Sequence, residues 1–155
     1  MDNDDIIATL NHLIQTCKDG EEGFRVCAAD ISDPQLKTLF VGRAETCANA
    51  ARELQEQVVA LGGDPETAGT LSETLHRRWT DIKAALIGMD DEEILGECER
   101  GEDVAVNSYR NALRDDLPPT LRSMVERQYK GAMRNHDQVK ALRDQFRTAK
   151  NITRH

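Results

Sequence analysis

The sequence predicts an all-α protein in which four long helices form a bundle and a shorter helix crosses over between the second and third of them. Two observations support this fold class. Apolar residues recur at alternating steps of three and four along four long segments, which is the spacing of an amphipathic helix. Between these segments stand short groups of Pro, Gly and acidic residues, which end one helix and cap the next.

Composition limits the function classes. The 155 residues are enough for one domain with a buried core, and only 4% of them are aromatic, so this core is expected to consist of Leu, Ile, Val, Ala and Cys. A net charge of −8 argues against nucleic acid and anionic membrane surfaces as partners. No apolar run approaches a membrane span, and the Asp-rich N-terminus is unlike a signal peptide, so a cytoplasmic location is expected.

The first helix is predicted over residues 4–31. Gly20 and Gly23 weaken its interior, but the apolar stripe keeps its phase across them, so one continuous helix is expected. Glu21 falls in the middle of the apolar face and would need a partner, because burying a lone carboxylate costs several kcal/mol. The stripe consists of Ile6, Leu10, Leu13, Cys17, Phe24, Cys27 and Ile31.

The second helix is predicted over residues 34–61. Asp33 reads as a cap before Pro34 in the first turn, and so short a connection makes the first two helices antiparallel neighbours. Arg43 lies on the inner line of this helix, and Gly62 and Gly63 end it. The inner line consists of Leu36, Phe40, Cys47, Ala51, Leu54, Val58 and Leu61.

The crossover helix is predicted over residues 71–87, with a capping box at 70–73. Its narrow apolar stripe predicts a helix that lies along the outside of the bundle with Trp79 as its anchor. His76 flanks that stripe and is expected at the surface.

The third bundle helix is predicted over residues 90–116, after an acidic cap that favours a helix N-terminus. Glu102 lies at the centre of its inner line, and Tyr109 lies on the same line. The third and fourth bundle helices are expected to pair through a tight turn at Asp116-Leu117-Pro118-Pro119.

The fourth bundle helix is predicted over residues 118–147. Gln128 and His136 share its inward face with the apolar residues. The tail at 148–155 has no apolar stripe and is expected to be frayed.

Four polar residues that point inward are predicted to lie at the same level along the axis of the bundle. The crossover is expected to return the chain to the end of the bundle where the first two helices are connected. Glu21, Arg43 and His136 then lie the same number of residues from that end along their helices. Glu102 is one residue further. This layer of the interior is the candidate site.

Three segments carry a resemblance to a known family: LHRRWTDIKAAL at 75–86, GECERGEDVAV at 96–106 and RDDLPP at 114–119. They resemble a bacterial, stress-associated, ferritin-like family of unknown function, and the likeness extends over nearly the whole chain. The resemblance implies a ferritin-like four-helix bundle with a long helical crossover between the second and third bundle helices.

Di-iron ferritin-like proteins carry a Glu on two of the helices and Glu-x-x-His on the other two. Glu21, Glu102 and His136 match three of these ligand positions. Because a guanidinium cannot ligate a metal, the resemblance implies a degenerate relative that has lost the di-iron centre. The positions that depart from the ligand pattern are Arg43, Thr46 and Met133.

The layer has three interpretations. In the first, Arg43 bridges Glu21 and Glu102, and His136 completes a buried hydrogen-bond network. In the second, Glu21, Glu102 and His136 hold a single divalent ion, Fe or Zn. In the third, a small-ligand pocket lies near Tyr109 and Gln128, which otherwise belong to the buried polar network.

The four cysteines are Cys17, Cys27, Cys47 and Cys98. They form no CxxC pair and lie on or beside apolar stripes, so buried reduced thiols are expected rather than a disulfide or a zinc site. No phosphate loop or nucleophile motif is found.

The sequence therefore favours a non-catalytic structural or interaction protein that needs no cofactor. The alternative is a metal-dependent oxidoreductase or a storage protein. Homo-oligomerisation is left open.

Overall fold

A computed structural model describes residues 1–64 and 73–153 of the chain. The described residues form five α-helices and no β-strand, which confirms the predicted all-α class. The predicted capping box at 70–73 lies mostly outside the described residues. In the described ranges, no helix combines the length and the apolar character needed to cross a membrane. The helices are α1 (Asn3–Asp30), α2 (Pro34–Ala60), α3 (Glu73–Leu86), α4 (Asp91–Ala112) and α5 (Pro119–Thr153).

Side-chain caps set the starts of the helices as the sequence predicts. The Asp33 carboxylate accepts hydrogen bonds from the backbone N–H groups at the start of α2, and Pro34 follows it in the first turn. Asp90 and Glu93 form a capping box at the start of α4. Both caps satisfy backbone donors that the helix itself leaves free.

The four long helices pack side by side in antiparallel contacts. Helix α1 packs against α2 and α4, α4 packs against α5, and α3 lies on α1. Phe24, late in α1, meets Phe40, early in α2, with ring centroids 5.7 Å apart. The backbone N–H of Ser32 donates to the Asp91 carboxylate at 2.8 Å, so α4 begins beside the α1–α2 turn.

Alanines form much of the buried face of α2. Ala44, Ala48 and Ala51 are buried, whereas Arg43 and Cys47 are only half-buried. The inner line predicted for α2 is therefore rotated slightly from the observed one. Small side chains allow neighbouring helix backbones to approach closely, although they stand out less in the sequence than large apolar residues.

Helix α5 continues to Thr153, six residues beyond its predicted end at 147, so the expectation of a frayed tail at 148–153 is wrong. Ion pairs with the N-terminal part of α4 hold this extension. Arg147 Nε lies 3.1 Å from Glu92, and Lys150 Nζ lies 2.7 Å from Asp90. An apolar stripe is not required where charged side chains connect two helices in this way.

The buried apolar residues form two clusters, one toward each end of the molecule. The first contains the N-terminal half of α1 and the C-terminal half of α2. The second contains the other halves of these helices together with α3 and the first part of α4. Side chains of α5 contribute to both clusters. The layer between them is the level at which the sequence places its candidate site.

Trp79 joins α3 to α1 at Gly23, as expected for the anchor of the crossover helix, and His76 is exposed. A Cβ atom at Gly23 would lie 2.7 Å from two atoms of the Trp79 ring. Only glycine permits this close approach of the indole to the α1 backbone.

Gly23→Ala is expected to destabilise the protein by about 1 kcal/mol. Crowding of Trp79 costs roughly 1–3 kcal/mol, and the better helix propensity of Ala offsets about 1 kcal/mol of it. Gly42→Ala is the matched control, because no atom lies within 4 Å of a Cβ there, and it should stabilise by about 1 kcal/mol. Urea unfolding of both variants tests this contact. If Gly23→Ala stabilised the protein as much as Gly42→Ala does, the close packing of Trp79 on Gly23 would be contradicted.

Candidate functional site

A cavity of about 450 Å³ lies between the two apolar clusters. Its volume falls in the usual range for small-molecule sites. Small residues of α1, α2, α4 and α5 line much of it, and their size explains why the interior is not filled at this level. These small residues are Gly20, Gly23, Ala50, Gly101, Ala105, Gly131 and Ala132.

Glu102 of α4 is the buried carboxyl group of this cavity. Its residue is 5% exposed, and its Oε1 atom has no hydrogen-bond partner among the described residues. Burial raises the pKa of Glu102 to about 7. Arg43 and His136 oppose this shift through their positive charge, and Asp103 adds to it.

Asn135 of α5 is a second buried polar group on the cavity wall, at 8% exposed. Among the described residues its side-chain amide has no hydrogen-bond partner. A buried amide usually satisfies its donors and acceptors, and so does a buried carboxyl group. Glu102 and Asn135 thus leave hydrogen-bonding capacity for a molecule in the cavity.

A connected polar chain forms another part of the wall. Tyr109 donates its hydroxyl to Gln128 at 2.7 Å and lies 3.1 Å from the Cys17 sulfur. The Gln128 amide donates to Glu53 at 2.7 Å, and Arg127 donates to the same carboxylate at 2.6 Å. These groups satisfy one another, and the chain of bonds connects α4 to α5 and α2.

All four cysteines line the cavity and are free thiols. Burial raises the pKa of Cys17 to about 11 and also raises that of Cys47. A hydrogen bond with Cys27, together with burial, raises the pKa of Cys98. Thiols in this state are protonated near neutral pH and act as small apolar groups rather than as nucleophiles.

Glu21 lies outside the cavity wall. Its carboxylate lies 3.0 Å from Arg25 and 3.8 Å from Lys18, both on α1, and its side chain is 20% exposed. The buried arc of α1 is rotated away from Glu21 because Trp79 covers Gly23 on the other side. Glu21 therefore pairs within its own helix instead of joining the predicted layer.

Arg43 does not bridge Glu21 and Glu102 by hydrogen bonds. Its guanidinium donates to Gln138 of α5, and its Nε atom has no partner among the described residues. The charge of Arg43 still acts on Glu102 through space. Arg43 is half-buried at the flank of the buried face of α2, next to the buried Ala44.

His136 interacts with acidic side chains at the edge of this layer. Its Nε2 atom lies 2.5 Å from Asp103, and its side chain is 21% exposed. Nowhere in residues 1–64 and 73–153 do three His, Cys, Asp or Glu side chains form a group suited to hold a metal ion. Glu21, Glu102 and His136 accordingly form no coordination group in this structure.

Sequence reasoning missed Asp19, which is buried at 7% exposed beside the cavity. Its carboxylate accepts hydrogen bonds from Trp79 Nε1 and Arg78 Nη2, both at 2.5 Å. These bonds fix the indole over α1 and satisfy the buried charge. The only signal in the sequence is the pairing of an indole donor and a guanidinium on neighbouring positions of α3.

The cavity opens between α2 and α5. Thr46 and Asn49 of α2, and Arg127 and Arg134 of α5, line the cavity and are also exposed at the surface. Long polar side chains connect these two helices, as the contact of Arg127 with Glu53 illustrates. The α2–α5 opening is therefore the route by which a molecule could enter.

Residues 5–115 match a protein family described as a domain of unknown function (DUF2383). A comparison of the chain with curated proteins finds no significant match.

Proposed function

The chain belongs to the DUF2383 family, whose description assigns no activity, and we propose that it is a small-molecule-binding protein with the central cavity as its binding site. The single observation that carries this proposal is the unpartnered carboxyl oxygen of Glu102 on the wall of a cavity of about 450 Å³. Leaving a buried polar atom without a partner costs free energy, and a bound molecule would remove that cost.

We also propose that the four long helices form a ferritin-like fold. Helices α1 and α2 are antiparallel, α4 and α5 are antiparallel, and α4 starts at the same end as α2. This order requires one long crossover between the two pairs, as in ferritin-like bundles. The cavity then occupies the level at which such bundles hold their metals, and residues of small volume replace the ligand set.

Binding is favoured over catalysis by the chemistry of the wall. Burial raises the pKa of Cys17, Cys47 and Cys98 and so disfavours their thiolates. Tyr109 is engaged with Gln128 and Cys17. The wall combines a largely apolar body with a few convergent polar groups, which is the composition of a ligand pocket. A structural or interaction role of the whole protein is compatible with this pocket.

Eight-carbon probes test the proposal on the full chain. Octanol or octanoate should raise the melting temperature of the parent protein, and the rise should grow with the logarithm of the probe concentration above its dissociation constant, because each binds only the folded state. Ala132→Phe places a ring at a position of the cavity wall and should abolish this rise. Ala141→Phe is the matched control, since Ala141 is exposed on the same helix, and it should respond like the parent.

Two outcomes would overturn the proposed function. The first is that neither probe shifts the melting temperature of the parent. The second is that the parent and Ala132→Phe respond equally, which would mean that the probes bind elsewhere.

A further inference from the structure

Arg43 of α2 reaches Gln138 of α5, one turn beyond Arg134, and neither arginine forms an ion pair with a carboxylate of the described residues. Burial lowers the pKa of Arg43, the charge of Glu102 raises it, and the nearby charge of Arg134 lowers it further. Two positive charges held close together repel each other, and a bound anion would offset that repulsion.

Arg134 is part of the cavity wall, so its positive charge lies at the cavity. Its guanidinium lies over Gly131, at 3.8 Å from the place of a Cβ atom, and both residues belong to the cavity wall. Arg43 contributes from α2 a buried Nε–H that has no hydrogen-bond partner among the described residues. Arg134 can therefore donate to a molecule that enters between α2 and α5. Arg43 is not part of the cavity wall and already donates to Gln138, one turn of α5 beyond Arg134, so it can donate at the mouth through its remaining N–H groups.

The other acidic residues on the wall are already paired. Asp19 is bonded to Arg78 and Trp79, Glu53 to Arg127 and Gln128, and Glu97 to Arg100. Those charges are therefore compensated. Glu102 acts on Arg43 through space, whereas Arg134 forms no ion pair with a carboxylate of the described residues, although the protein as a whole carries −8.

We propose that the ligand of the cavity is a small carboxylate with an apolar body, its carboxylate bound between Arg43 and Arg134 and its body inside. The inference rests on the proposed function and names the ligand class. A planar guanidinium matches the two oxygens of a carboxylate. The apolar body would lie among the Gly, Ala and Cys side chains of the wall. Asn135 and Glu102 would stand within the cavity to receive a second polar group.

The test compares the dissociation constants of octanoate, octanol and octylamine by calorimetry on the full chain. Octanoate should bind the parent at least about tenfold more tightly than octanol, and octylamine should bind more weakly than either. Arg134→Gln and Arg43→Gln should each weaken octanoate by about tenfold and leave octanol unchanged. Arg110→Gln is the matched control, because Arg110 is exposed on α4 and absent from the cavity wall.

The outcomes separate the two proposals. Octanol binding as tightly as octanoate, or octanoate binding that is insensitive to both arginine variants, would overturn the carboxylate assignment and leave a ligand cavity standing. Preferred binding of octylamine would also overturn it. If none of the three compounds bound the parent, both the function and the ligand class would be contradicted.

The folding of each variant can be checked independently, so that a loss of octanoate binding can be distinguished from a loss of folding. Arg134 is exposed, and its replacement should leave the circular dichroism spectrum and the melting temperature close to those of the parent. If Arg43→Gln lowers the melting temperature, Arg134→Gln alone decides the question.

Discussion

Glu102→Gln is expected to stabilise the protein by about 3 kcal/mol at pH 8 and to change its stability little near pH 4. Burial raises the folded-state pKa of Glu102 to about 7, whereas an unfolded Glu titrates near its ordinary value of 4.5. The folded state therefore loses stability as the pH rises from about 4.5 through 7, by roughly 1.4 kcal/mol per unit of pKa difference. A neutral Gln does not ionise and escapes this loss.

Urea unfolding of both proteins at pH 4, 6 and 8 measures the effect. The charged or titratable groups around Glu102 come from three helices, and all of them are unchanged in the variant. Glu45→Gln is the control, because Glu45 is exposed on α2, and it should follow the parent at each pH. A variant less stable than the parent at pH 8 would show that Glu102 is an ionised partner in a buried salt bridge. The surrounding groups are Arg43, His136, Asp103, Cys47 and Cys98.

Trp79→Ala should lower the free energy of unfolding by about 3–5 kcal/mol, the usual cost of truncating a buried Trp. Trp79 is 7% exposed, it covers Gly23, and its indole donates to the buried Asp19. Its loss removes the principal contact of α3 with α1 and leaves the Asp19 carboxylate with Arg78 alone. The cavity would also lose part of its wall.

Circular dichroism in urea measures this change, because the chain has only one Trp and the variant lacks its fluorescence. Trp79→Phe should cost less, since a ring remains and only the indole donor is lost. Ile87→Ala is the matched control: Ile87 follows α3 but is 76% exposed, so its truncation should cost under about 0.5 kcal/mol. A loss of similar size in Trp79→Ala and Ile87→Ala would contradict the anchoring role.

The helical fold could be predicted because its signals are local. Apolar spacing identified the helices, and Asp33 and Asp90 marked the starts of α2 and α4. The extension of α5 could not be predicted in this way, because pairs such as that of Lys150 with Asp90 hold it. Such contacts depend on which helices are neighbours.

Of the candidate site, the burial of Glu102 could be predicted from the sequence, whereas the surroundings of Glu21 and Arg43 could not. Glu102 is buried where the stripe of its helix puts it, and Arg43 and His136 act on its charge. Glu21 and Arg43 lie at the flanks because Gly and Ala faces, rather than large apolar residues, set the rotation of α1 and α2. The cavity itself was not predictable, since an unfilled volume results from the small residues of four helices together.

The most direct test of the central claim is a crystal structure of the full chain grown with octanoate. One octanoate is expected in the cavity, with its carboxylate between Arg43 and Arg134 and its chain directed toward Cys98 and Ala105. A cavity closed by movement of α2 toward α5 would contradict this account. So would a metal ion held by Glu21, Glu102 and His136.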